Sequence, residues 1–293
     1  MTDRPALRRL GLLTPALATI AVLIGVPLAL MFWISLLQKG DSGGVDWASA
    51  PSLGNYIRLV WEEDFDGTMI VNTSYLIILL RSVLQAAVTT GLCLLFGLPV
   101  ALWMAGLSRG QREIMLLLIT IPFWTNLLVR NYAWLIILRE DGWLSQVVNA
   151  LSPVGPVQLL YNDLAVAIGL TYSFLPFMIL PLYTVFEKFD WRLLEAAHDL
   201  GAPRRRALRR VVIPIAMPGI AAGSLLVFIP CLGAFVTPAL LGGGKTLMLG
   251  NVIQMQFAAS RNWPFGAALS VVLLALMLVV MVAMAIWRNR RVK

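Results

Sequence analysis

The chain has 293 residues, 59% of them apolar, with a mean hydropathy of +0.81. Soluble globular domains are about 45–50% apolar, so this composition excludes a water-soluble domain and defines an integral membrane protein. A net charge of +8 with a pI near 10 could suggest nucleic acid, but the distribution of the charges argues for membrane orientation instead.

Six apolar stretches are long enough to cross roughly 30 Å of hydrocarbon as helices. They lie at about 11–37, 72–105, 114–138, 164–186, 215–240 and 264–287. The expected fold is an all-α membrane protein with six transmembrane helices in one domain over 1–293. The N-terminus, the loop 106–113, the segment 187–214 and the C-terminal tail hold 16 Lys and Arg against 6 acids. The connections 38–71, 139–163 and 241–263 hold 5 against 9. Basic loops stay inside, so both termini and the 187–214 segment are expected in the cytoplasm.

In chain order, Arg4, Arg8 and Arg9 precede an apolar run that is too long for a secretory signal and reads as an uncleaved first span. The loop 38–71 is acidic at its end, with Glu62, Glu63, Asp64 and Asp66. That cluster reads either as a solvated loop or as a landing surface for an extracytoplasmic partner. Leu53 to Trp61 has helical spacing and predicts an interfacial helix. Arg81 falls at the outer edge of span two, where it can snorkel to the headgroups.

Span three contains PFWTNLLVRNYAW at 122–134. Pro122 removes a backbone donor and predicts a kink. Trp124, Asn126, Arg130, Tyr132 and Trp134 then make the segment too polar to face lipid, and an ionisable residue inside a span marks a candidate functional site. Arg130 either serves a translocation pathway or snorkels outward. Tyr172 in span four and Thr237 near the end of span five complete this candidate pathway. Gly219 and Gly223 stand at the four-residue spacing that lets helices approach closely. Cys93 and Cys231 lie in spans two and five and read as small buried apolar residues.

The segment 190–214 interrupts this apolar pattern. Asp190 is a good N-cap, Trp191 to Leu200 a plausible helix, and Gly201 a left-handed stop with Pro203 just beyond. Trp191, Leu194 and His198 share one face of it; Arg192, Glu195 and Asp199 share another. A second helix from about Arg204 towards Pro214 carries five arginines. A basic loop that only sets topology would not need such punctuation, so a protein-docking helix is the favoured reading.

EAAHDLG at 195–201, then nine residues, then VVIP ending at Pro214, resembles the EAA signature of membrane subunits of bacterial ATP-binding-cassette (ABC) importers. PFWTNLLVRNYAW, LPFMILPLY (175–183), GAFVTPALLGG (233–243) and NWPFGAALS (262–270) are similar to the spermidine/putrescine-type permeases. The resemblance implies a single permease domain whose coupling element is formed by Glu195, Ala196, Ala197, Asp199, Gly201 and Pro214. It implies three partners: a cytoplasmic ATPase dimer that holds the ATP and Mg, a second permease subunit that is usually a different chain, and a periplasmic substrate-binding protein. This chain itself is expected to have no catalytic residue, metal or cofactor.

Many polyamine-type relatives carry acids at two positions where this chain has Ala234 and Ala239. The implied solute is therefore a small charged molecule, of polyamine type or a related amine or zwitterion. Trp124, Tyr132, Trp134 and Tyr172 could offer an ammonium group an aromatic surface.

Other classes fit less well. A self-sufficient secondary transporter or channel is the main alternative, but proton-coupled carriers need Asp, Glu or His inside the spans, and none falls there. An intramembrane serine protease needs a base near its nucleophile, and the one histidine, His198, is in the cytoplasmic loop. Gly242 to Thr246 imitates the end of a phosphate-binding P-loop, but the required upstream glycine is Ala239 and no strand is expected before it.

Overall fold

An apolar segment in lipid finds no water for its backbone groups, so it closes its own hydrogen bonds as a helix. The computed structural model describes residues 4–63, 69–151 and 157–292; Asp64 and Asp66 of the acidic cluster lie outside them. The helices in chain order are α1 (Arg4–Ser35), α2 (Gly54–Ile57), α3 (Thr73–Ala105), α4 (Arg109–Trp124), α5 (Leu127–Leu138) and α6 (Trp143–Leu151). There follow α7 (Asp163–Phe186), α8 (Arg192–Asp199), α9 (Arg204–Ala207), α10 (Ile213–Leu232), α11 (Val236–Leu241), α12 (Leu249–Ala258) and α13 (Trp263–Val292). A π turn, Leu208–Val212, joins α9 to α10, so 29 helical residues run from Arg204 to Leu232.

Five of these segments are long and apolar enough to cross a membrane, or six if α4 and the helices after it count as one bent span. The chain is thus mostly helical, with departures from the sequence reading. The stretch 114–138 is not one helix: its two halves meet at 91°. The stretch 215–240 stops at Leu232, and α11 starts afresh at Val236. The helix expected over 53–61 shrinks to the single turn of α2, and Trp61 instead pairs with Val71 as strand β3 (Trp61–Glu63) meets β4 (Met69–Val71). A second small hairpin joins β1 (Gln38–Lys39) to β2 (Val45–Asp46). Outside the hydrocarbon, water can satisfy a backbone, and a loop need not be helical. The connections 139–163 and 241–263 also contain helices, α6 and α12.

The chain divides into two compact units. One takes the residues up to Leu76 with Val252–Ala275. In it Asn55 Nδ2 donates to the carbonyls of Ser35 (2.9 Å) and Leu37 (2.8 Å), fastening α2 to the last turn of α1. An 18-residue stretch of the α1 span has no buried residue, which suits contact with lipid, and burial begins at Ser35 where the helix ends.

The other unit takes Ile77–Asn251 and the chain from Leu276. Its core is built around α7, whose Met178, Ile179, Leu182 and Phe186 are fully buried with Met104 and Ala105 of α3 and Val212, Ala216 and Val227 of the π turn and α10. Between helices in lipid there is little hydrophobic driving force, so close packing has to hold them. Gly219 and Gly223 provide it: a Cβ at Gly219 would stand 3.0 Å from Pro181 O, and one at Gly223 would stand 2.7 Å from Met178 Sδ. The small-residue spacing therefore marks the α7–α10 contact. Cys93 and Cys231 are buried free thiols.

Candidate functional site

Helix α8 is anchored through aromatic rings. Phe186 meets Phe189 at 6.3 Å between centroids, and Phe189 meets Trp191 edge-on at 5.3 Å. Trp191, Leu194, Leu208 and Val211 pack against the core of the unit. Asp190 Oδ1 accepts from the Arg192 amide at 3.1 Å, one of the donors a helix start leaves over. Regular helix begins at Arg192, one residue later than the sequence suggests, because Trp191 stands at the cap position. The third half-buried residue of the inner face is Ala197; His198 is exposed, which corrects the assignment of His198 to the face of Trp191 and Leu194.

At the other end Gly201 has φ +77°, a conformation that suits glycine. The Gly201 amide donates to His198 O (2.8 Å) and the Ala202 amide to Ala197 O (3.0 Å), the paired bonds of a Schellman stop. Glu195, Ala196, Asp199 and Gly201 are all exposed, beside Leu193 and Leu200, the latter 89% exposed. Arg204, Arg205, Arg206, Arg209 and Arg210 are exposed too.

Pro214 explains the π turn. It has no N–H to return to the carbonyl four residues back, and its ring would strike that carbonyl in a regular α-helix. The turn widens instead, and the Ile213 amide reaches Leu208 O.

The broken span is the second feature. Thr125 is extended (φ −76°, ψ 149°), and its hydroxyl donates back to Pro122 O at 2.7 Å. Asn126 Oδ1 accepts from the Leu128 amide at 2.8 Å and starts α5. The break thus falls at Thr125, three residues past the proline expected to cause it, where side chains can replace the lost ladder bonds.

Asn126, Arg130 and Trp134 follow at four-residue spacing on one face of α5. Trp134 meets Tyr172 of α7 edge-on at 5.7 Å. Thr237 is buried on α11, where its methyl lies 2.8 Å from the Cβ position of Gly169 on α7. Arg130 Nε and Nη1 are enclosed and have no hydrogen-bond partner among the described residues. Trp124, 86% exposed, and Tyr132, 53% exposed, make no ring contact with this cluster among the described residues.

Sequence reasoning missed a polar stripe on α3. Ser82, Gln85 and Thr89 are all buried, at spacings of three and four. Ser82 Oγ accepts from the Leu249 amide at 2.7 Å, satisfying the first donor of α12, and Gln85 Nε2 donates to Asp163 O at 3.1 Å. The signal was three polar residues on one face of an apolar helix. Arg81, expected to snorkel, donates from Nη1 to Lys245 O at 3.0 Å. Lys245 sits in a turn after α11 with no strand before it, which disposes of a P-loop.

Long apolar helices, a span broken at a capped asparagine and a short capped helix displayed between two spans suit a membrane transport permease. The chain belongs to the family of binding-protein-dependent transport system inner membrane components, whose model matches residues 97–293. It is therefore a multi-pass inner-membrane protein and a permease subunit. It is 41% identical over 238 residues to the spermidine/putrescine transport system permease protein PotB of Escherichia coli, covering 81% of this chain and 86% of that protein. It is 44% identical over 211 residues to PotB of Haemophilus influenzae, covering 72% and 74%. Its fold is similar to a chain of a bacterial ABC transporter that imports the acidic polysaccharide alginate, with TM-score 0.63 and 16% identity over 99% of each chain.

Proposed function

We propose that this permease subunit works in an ATP-driven importer for a polyamine-type or related small amine, and that α8 couples it to a partner ATPase. The observation that carries the reading is the displayed helix: Glu195, Ala196 and Asp199 exposed between an aromatic anchor at Trp191 and a left-handed stop at Gly201. The two PotB relatives support the solute class. The charge distribution supports six spans, the bent pair counted as one, with both termini and α8 in the cytoplasm.

In this reading a second permease subunit completes the pathway, a periplasmic binding protein delivers the solute, and ATP with Mg binds only the ATPase dimer. Closure of the ATPases pushes on α8. Because Trp191, Leu194 and the π turn are packed into the α3–α7–α10 core, α8 moves that core as one body. Trp124, Asn126, Arg130, Tyr132, Trp134, Tyr172 and Thr237 lie along the pathway in this reading.

The test is uptake by the reconstituted complete transporter carrying Glu195→Lys or Gly201→Pro. Both variants should insert normally and hydrolyse ATP while losing solute uptake. Undiminished uptake by both variants overturns the coupling role of α8.

A further inference from the structure

Arg112 joins α3, α4 and α7. It stands on the first turn of α4, where its Nε donates to Leu107 O and its Nη2 to Ala105 O, each at 2.7 Å. One guanidinium thus takes up carbonyls that the end of α3 leaves over. The Tyr183 hydroxyl of α7 stands within hydrogen-bonding reach of the same side chain and donates to Glu187 Oε1 at 3.2 Å. Tyr183 is buried, and Glu187 caps the end of α7, on the short connection to α8. A cation and a carboxylate are therefore linked through one buried hydroxyl.

The rest of α4 meets α7 by apolar contact. Arg112, Met115, Leu116, Ile119 and Phe123 recur at three- and four-residue spacing on one face. Met115, Leu116 and Ile119 pack against the core, and Phe123 meets Phe177 of α7 edge-on at 5.3 Å. Apolar attraction is non-directional, so by itself it lets one helix slide along another. A planar guanidinium holds its donors in a fixed fork and so sets a register. Close packing does not take over that task beside α8, because the surface between Trp191 and the end of α3 opens into a cleft of about 440 Å³.

We infer that Arg112 is a positioning residue, which holds α4 through Tyr183 so that α4 moves with α7 and α8. The inference rests on the coupling role of α8 stated above and names the route from α8 to the broken span. Movement of α8 reaches Glu187 through the short connection between them. Tyr183 passes it to Arg112, and α4 carries it to the break at Thr125 and the start of α5. Without the link, α8 still moves α7, while α4 slips along its apolar face.

A pair of spin labels reads the link directly. Gly110→Cys, with open space around its Cβ position, and Lys188→Cys, exposed between α7 and α8, carry the labels in the complete transporter. Cys93 and Cys231 are buried and take no label; exposed cysteines of the other subunits are replaced by serine. With Arg112 and Tyr183 intact, the pair should give one narrow distance, the same without nucleotide and with ATP held on the ATPase. Arg112→Gln and Tyr183→Phe should each lose it to a broad distribution. The double variant should go no further than either alone, because both break one chain of bonds. Arg112→Lys keeps the charge without the fork and should recover only part of the narrow population. Tyr183→Phe removes one hydroxyl and leaves its ring in the core, so a lost core does not account for its effect.

A narrow distance that survives Tyr183→Phe overturns the inference, since Arg112 would then only cap α3. So does a distance that changes with ATP while both residues are intact, because α4 would not be travelling with α8. The comparison without nucleotide tests the link alone. Binding-protein-stimulated ATP hydrolysis by the unaltered transporter reports separately on the coupling reading.

Discussion

The amide of Ala202 donates to the carbonyl of Ala197 at 3.0 Å, and this bond ends α8 by folding the chain back over Gly201. It requires the positive φ at Gly201, +77°. Gly201→Ala puts a side chain into the left-handed region at a cost of about 1–2 kcal/mol. The last turn of α8 should fray, seen as faster amide exchange over 196–202, with uptake reduced and membrane insertion unchanged. Unaltered exchange there would show that the stop does not depend on glycine.

The α7–α10 contact depends on the missing side chain at Gly223, 2.7 Å from Met178 Sδ at the Cβ position. Gly223→Ala overpacks the contact and should destabilise the protein by about 1–3 kcal/mol. Met178→Ala alone leaves a cavity, yet the double variant should be more stable than the sum of the two losses, because each change relieves the other. Strict additivity in thermal unfolding would place the strain elsewhere.

Asn126 holds the start of α5 through its bond to the Leu128 amide at 2.8 Å. Asn126→Ala should cost about 1 kcal/mol, and Asn126→Asp should recover most of it, since aspartate caps equally well. Matching losses in both variants would mean that the amide nitrogen, rather than the cap oxygen, is what matters.

Ser82 accepts from the Leu249 amide in a buried site, at 2.7 Å. Ser82→Ala leaves that donor unsatisfied at a cost of about 1–3 kcal/mol. Faster amide exchange at the start of α12 is the expected readout; unchanged protection would point to another acceptor.

Pro214→Ala supplies the N–H whose absence widens the turn at Leu208–Val212. The segment should relax to regular α-helix and rotate Arg204–Ala207, and α8 with it, by about 100°, one residue of helix. Uptake should fall in a protein that still inserts. Disulfide cross-linking between cysteines placed on α8 and on the end of α3 reads the rotation directly; an unchanged pattern would show that the π turn has another cause.

Much of the site was readable in the order of the residues because it rests on local chemistry. Asp190, Gly201 and Pro203 punctuate α8 through bonds that span at most five residues, and the helix appears within one residue of its expected start. What failed was anything that depended on a neighbour. Pro122 looked like the break in span three, but Thr125 and Asn126 carry the side-chain bonds that let the helix end there. His198 and Ala197 are adjacent in sequence, and only the packed core of α7 and the π turn determines which of them turns inward.

Composition alone determined that the chain lives in lipid, since 59% apolar residues cannot be buried in a soluble domain of this size, and its capping residues marked the limits of α8. Only the tertiary structure decided that span three is bent by 91°, that Ser82 starts α12, and that two nitrogens of Arg130 are enclosed without a hydrogen-bond partner among the described residues. The physical reason is range. Hydropathy and capping act over a few residues and are written in their order, whereas an enclosed polar group has meaning only through the groups that surround it.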